Sequence, residues 1–247
     1  MAIAFANLGA SSGLGSNNAN NPDINEATGD TSFANTSWTP PGSGLIIVFV
    51  VGRRVANVDT PTISGNSLSW VQIGTTLDLN GDDGLSLFGA DASGSATGVT
   101  TVDFDGNTQA HCIVSFYQAT GVDLSGGVAS AFVQNVTDTG TATSGSITLA
   151  AAGASANRPI SGFLHVTDEV ASPRTNWTEA DDMHGSGAAR DLITQYRDDA
   201  FETTASATWS TSSDWGGIAA ELLAETGHAG PLVNAGRLKS KVGGGLV

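Results

Sequence analysis

Residues 45–51 read LIIVFVV, and residues 111–117 read HCIVSFY. Both are unbroken apolar runs of strand length, rich in β-branched and aromatic residues, as expected of a strand covered on both faces. Between them lie LSWVQI (68–73), LSLFGA (85–90) and VTTVDF (99–104), separated by Gly, Asp and Asn. Turn residues between short apolar runs are the signature of antiparallel strands. Further runs follow at 129–136, 146–150, 160–166, 176–179, 191–196, 205–210 and 217–223. About a dozen strands at this spacing predict a sandwich or barrel. Only GGIAAELLAE (216–225) has helix-forming composition.

The second half resembles the first. LIIVFVV, LSWVQIG, LSLFGAD, SATGVTTVDF and HCIVSFY are answered in order by PISGFLHV, TNWTEAD, LITQYRD, TTASATWS and WGGIAAELL. Trp70 and Trp177, Leu85 and Leu192, and Asp91 and Asp198 each stand 107 residues apart, while Ile113 and Ile218 align with an offset of 105. Paired with HCIVSFY in this way, the GGIAAELL segment is expected to be a strand. The predicted fold is all-β: a jelly-roll-like antiparallel sandwich of two pseudo-symmetric halves (about 40–120 and 155–225) with extended terminal arms. The organisation read from this is an N-terminal segment and polar loop (1–31), a sandwich (32–226) and a basic C-terminal arm (227–247).

Charge divides the same way. Residues 1–226 hold six arginines against all 24 acids, a net of −18, whereas residues 227–247 carry Arg237, Lys239 and Lys241 and no acid. An acidic body repels phosphate, so no nucleic-acid partner is expected. The N-terminus lacks a basic, apolar leader, and no run approaches the roughly 20 apolar residues of a membrane span. Synthesis in the cytoplasm without a signal peptide, and no membrane partner, are the expectations. Cys112 is the single cysteine and lies in an apolar run, where it reads as a core residue.

Sequence motifs for chemistry are weak, and neither enzyme activity nor a cofactor is expected. His111, His165, His184 and His228 show no zinc-site spacing; His111 and His165 read as hydrogen-bonded structural residues. Asp78, Asn80 and Asp82 have the 1, 3, 5 spacing of a calcium loop, but Asp83 and Gly89 occupy the positions that need Gly and Glu. The same letters make a hairpin turn. Asp181 with Asp182, Asp198 with Asp199, and Glu221 could pair as glycosidase carboxylates, but in so acidic a chain they read as a solvated surface. Trp38 and Trp215, beside Pro and Gly, are the aromatics a glycan would stack on if this were a carbohydrate- or receptor-binding module, the alternative reading.

The tail is the most pointed feature. Leu232, Val233, Leu238 and Val242 alternate with Arg237, Lys239 and Lys241. Apolar anchors with steering charges suit an arm that docks on an acidic neighbour, a copy of the same chain included. Ile3, Phe5 and Leu8 are the corresponding N-terminal contact candidates.

PGSGLIIVFV, PTISGNSLSW, LSLFGAD and HCIVSFYQATGVD, with the closing LITQYRDDAFETTASATWSTSSDWGGIAAEL, resemble β-sandwich structural proteins of tailed bacteriophages and prophages over roughly residues 40–225. The resemblance implies a virion component (capsid decoration, head-fibre or tail-associated protein), homo-oligomeric and bound to capsid or tail subunits. It brings no catalytic residue.

Overall fold

The apolar run at Leu45 is a strand buried from both sides, and the reason is a layer on each face of it. The computed structural model describes residues 2–9, 23–185 and 190–226. Its first-half strands are β1 (Ala4–Asn7), β2 (Ile24–Glu26), β3 (Ser32–Ala34), β4 (Leu45–Arg53), β5 (Thr62–Gly65), β6 (Val71–Leu79), β7 (Asp83–Asp91), β8 (Thr100–Asp103) and β9 (His111–Thr120). A 3-10 turn, Val128–Ala131, leads into β10 (Phe132–Thr148), β11 (Arg158–His165), β12 (Ser172–Pro173), β13 (Thr178–His184), β14 (Asp191–Tyr196) and β15 (Thr204–Leu222). Every pairing is antiparallel.

The first sheet runs β1-β9-β4-β7-β6, with β2 also on β9; the second runs β10-β15-β11-β14-β13, with β12 also on β15; a small sheet runs β3-β8-β5. Side chains alternate across a strand, so β4 serves two cores. Leu45, Ile47, Phe49 and Val51 face the second sheet and meet Ile160, Leu164, Leu192 and Ile218. Ile46, Val48 and Val50 face the small sheet and meet Phe33, Val102 and Phe104. The second sheet has an outer core of its own, with Phe163, Ile193, Ala205, Ala207, Trp209 and Trp215. It is roofed where the β10–β15 ribbon breaks register between Ala142 and Ser144 and continues.

The two halves share one topology. β9-β4-β7-β6 and β15-β11-β14-β13 are the same order of equivalent strands. Gly52 pairs with Gly84 and Cys112, as His165 pairs with Asp191 and Trp215. The offsets are therefore 113 for β4 to β11, 107 for β7 to β14 and 103 for β9 to β15. The last differs by two from the 105 read off the isoleucines, which leaves every side chain on the same face.

Several expectations change. Each sheet is drawn from one half of the chain, so the strand path does not alternate between sheets as a jelly roll's does. The segment read as a loop contains β2, whose Ile24 is buried. β1 and β2 both pair with β9, so the N-terminal segment is part of the sandwich. β10 is one strand where two were expected, because the Thr- and Gly-rich stretch between them finds partners along β15. GGIAAELL closes β15, as its match to HCIVSFY required.

Candidate functional site

Residues singled out in the sequence mostly serve the fold. Ile3 is buried between the sheets, Phe5 stacks on Tyr196 with ring centroids 4.3 Å apart, and Leu8 packs on the outer core of the first sheet. They are occupied within the molecule because β1 is a sheet strand. Trp38 and Trp215 are 3% and 6% exposed, which removes the stacking platform that a glycan site needed. Trp38 Nε1 donates to Thr100 Oγ1 at 3.0 Å, and Trp215 packs on Phe163. The arm residues Leu232, Val233, Arg237, Leu238, Lys239, Lys241 and Val242 lie outside the described residues.

Asp78, Asn80 and Asp82 belong to the β6–β7 hairpin. Asn80 and Gly81 both have positive φ, 59° and 76°, the pair of values a tight hairpin turn requires of Asn-Gly. Asp78 Oδ1 accepts from Gly81 N at 2.7 Å, Asn80 Nδ2 donates to Asp214 Oδ2 at 2.7 Å, and Asp82 Oδ1 accepts from Ala56 N at 2.6 Å. Three partners in three directions hold the turn.

Asp181, Asp182 and Glu221 are buried, not on the solvated surface expected of them. Glu221 is buried and accepts from Gln134, Gly153 and Asn157. Asp199 pairs with Arg197 at 2.8 Å. Asp181 and Asp182, adjacent in β13, point to opposite faces of the second sheet and enter two different clusters.

The inner cluster lies between the sheets. Asp181 meets the carboxyl of Asp23, which accepts from Phe116 N at 2.9 Å. Burial pushes the Asp23 carboxyl up to about 7; burial, then repulsion from Asp23, pushes Asp181 up to about 8. Such a pair holds a proton because two adjacent carboxylates in a low-dielectric seam repel. Nearby, Ser115 Oγ and Thr194 Oγ1 are 3.0 Å apart, Asn7 Nδ2 donates to Ala180 O, and Asn25 Nδ2 donates to His184 O at 2.6 Å. His111 Nε2 is 2.8 Å from Asn25 Oδ1, and burial lowers this imidazole to about 4, so it is neutral.

The outer cluster is assembled from three strands and a loop: His165 at the end of β11, Asp182 and His184 in β13, Asp191 opening β14, and Asp168 in the 166–171 segment. His184 Nδ1 is 3.3 Å from Asp191 Oδ2 and 3.7 Å from Asp168 Oδ1, and its Nε2 is 3.4 Å from Asp182 Oδ2. His165 is fully buried, stacked on Trp209 at 4.6 Å, with Nδ1 2.9 Å from Thr167 Oγ1. Burial lowers it to about 4. Burial raises Asp182 to about 7 and Asp191 to about 6, each opposed by His184. Asp191 also carries the loop: its Oδ2 accepts from Glu169 N at 2.6 Å and its Oδ1 from Gly185 N at 3.2 Å. No short-range motif could reveal this cluster, because its members are brought together only by the register of β11, β13 and β14.

A third feature is the free side of β10. This 17-residue edge strand pairs with β15 and, among the described residues, with nothing on its other side. It contains one charge, Asp138, and no Lys or Pro. Thr137, Thr139 and Thr143 are exposed along it.

Comparison with known proteins returned no family model, no curated protein and no solved structure that matches this chain.

Proposed function

We propose that this chain is a non-enzymatic assembly protein of a phage particle, a capsid decoration, head-fibre or tail-associated subunit that joins copies of itself and neighbouring virion subunits. The observation that carries the proposal is the edge of β10 that pairs with nothing among the described residues. Sheet edges that stay alone are blunted by Lys, Pro or short length, because unpaired N–H and C=O groups template pairing with another chain. β10 is long and almost uncharged, so it suits edge-to-edge addition of a strand. The resemblance to phage sandwich proteins supplies the biological setting, and the basic arm after residue 226 supplies a second contact, since repeated weak contacts multiply on a symmetric shell.

The test is assembly of the full chain, followed by light scattering with size exclusion and by co-sedimentation with particles from a producing phage. The wild type should form a defined oligomer and sediment with particles. Thr139→Lys with Thr143→Lys should reduce the oligomer, and a chain ending at Thr226 should keep the fold and lose particle binding. A wild type that stays monomeric at high concentration and does not sediment would overturn the reading.

A further inference from the structure

We infer that the outer face of the second sheet carries a binding site for a zinc-class divalent transition-metal ion, with His165, His184, Asp191 and Asp168 as the donors and Asp182 behind them.

The first observation is spacing. One atom each from Asp168, His184 and Asp191 lie within 4.8 Å of one another. Metal–ligand bonds of about 2.0–2.2 Å in a tetrahedral site put donor atoms about 3.3 Å apart. His184 Nδ1 is 3.3 Å from Asp191 Oδ2 and 3.7 Å from Asp168 Oδ1, so small side-chain adjustments suffice.

The second observation is independent of the acidic cluster. His165 Nε2 is buried without a hydrogen-bond partner, 3.8 Å from Asp191 Oδ2 and thus too far to bond it. A buried polar nitrogen left unsatisfied is costly. Thr167 Oγ1 sits on the other nitrogen, at 2.9 Å. A proton held on Nδ1 toward Thr167 leaves the Nε2 lone pair turned to the cluster, the arrangement by which a neighbouring group selects a metal-binding tautomer.

The third is the role of Asp182. Its Oδ2 lies 3.4 Å from His184 Nε2, the position of the carboxylate that orients a metal-bound imidazole and raises its basicity. His184 faces three carboxyl groups, those of Asp168, Asp182 and Asp191. Two imidazole nitrogens favour zinc, cobalt or nickel over calcium or magnesium, which take oxygen. Asp168, His184 and Asp191 form the close set, and His165 Nε2, 3.8 Å from Asp191 Oδ2, would complete four-coordination; a site closed in this way would hold its ion structurally, clamping the 166–171 segment to β13 and β14.

The experiment uses the tag-free full chain, stripped with chelator and titrated calorimetrically with Zn²⁺, and separately with Co²⁺ while visible absorption is followed. One ion per chain is expected, with d–d bands of low-coordinate cobalt and a higher melting temperature. Asp168 is 66% exposed at its side chain, so Asp168→Asn should melt like the wild type in chelator yet bind at least tenfold more weakly. Asp182→Asn should lose about 10–100-fold, and His184→Gln should lose stoichiometric binding. Asp138→Asn, on β10 and outside the cluster, should change nothing. Absence of stoichiometric Zn²⁺ and Co²⁺ binding by the wild type would overturn the site. So would preference for Ca²⁺, or affinity equal in His184→Gln, Asp168→Asn and the wild type.

Discussion

Asp83 and Arg190 occupy equivalent positions in the two halves of the chain, and they bind each other: Arg190 Nε donates to Asp83 Oδ1 at 2.7 Å, with both side chains buried. Phe49 and Gly162, equivalent by the register of β4 and β11, also touch. Contact between equivalent residues marks where a local two-fold relation passes, and here it passes between the two sheets.

Removing one partner of the buried pair should be expensive. Arg190→Ala, or Asp83→Ala, strands a charge that burial already penalises, as the upward displacement of the Asp83 carboxyl indicates. A loss of about 3–5 kcal/mol is expected for either. Replacing both by apolar residues, Asp83→Leu with Arg190→Met, should cost clearly less than the sum of the single changes. Urea denaturation of the four proteins, read as a double-mutant cycle, checks this.

Gly162 has no room for a side chain. An added Cβ would lie 2.6 Å from Phe49 Cδ1. Gly162→Ala should destabilise by about 1–3 kcal/mol through overpacking, and Phe49→Leu in the same chain should recover part of that loss. Thermal melting of the single and double variants distinguishes overpacking, which Phe49→Leu relieves, from a purely local backbone effect, which it does not.

The Asp23–Asp181 pair predicts a falling stability on the alkaline side of neutrality. Folded carboxyls raised from 3.8 to about 7 and 8 bind more protons than the unfolded chain across that interval, so their contribution is fully present below pH ~4 and is lost as pH rises through the folded values. Burial lowers His111 and His165 from 6.5 to about 4, which acts in the opposite sense below pH 6.5. The pH 6.5–8 window therefore isolates the acids. Stability measured in chelator should fall across it. Asp181→Asn should flatten the slope while Asp182, on the other face, still titrates; an unchanged slope would count against the pair.

Gly81 tests the hairpin reading of residues 78–83. Its φ is 76° and its missing Cβ would meet nothing within 4 Å, so Gly81→Ala should cost about 1–2 kcal/mol from backbone strain alone. Because Asp78, Asn80 and Asp82 are each tied to a different protein group, millimolar Ca²⁺ should leave the melting temperature of the wild type unchanged.

Much of the architecture could be read directly because β periodicity is local. Runs such as LIIVFVV and the spacing of Trp70 and Trp177 carry strand position and repeat order in neighbouring letters. Near the Trp-centred strands the local pattern carries less, because bulges intervene. β6 begins at Val71 and continues to Leu79 past a register shift between Ile73 and Leu77, and β13 runs to His184 past one between Glu179 and Asp181. Bulges change where a strand ends without changing its composition. Flanking Gly residues read locally as a surface loop at Trp215, whereas Gly140 and Gly145 let β10 lie directly on the Trp215 ring.

By itself, then, the sequence determined an acidic, all-β chain with two similar halves and a basic tail, because composition, strand period and internal repetition are properties of neighbouring residues. Only the tertiary structure decided that each half contributes one sheet, that β10 is paired on one side alone among the described residues, and that Asp181 and Asp182 serve separate clusters. It also brought donor atoms of Asp168, His184 and Asp191 within 4.8 Å of one another, with His165 Nε2 3.8 Å from Asp191 Oδ2. These depend on strand order and register, which join residues far apart in the chain, and a side chain's neighbours across a sheet are set by that pairing rather than by the letters beside it.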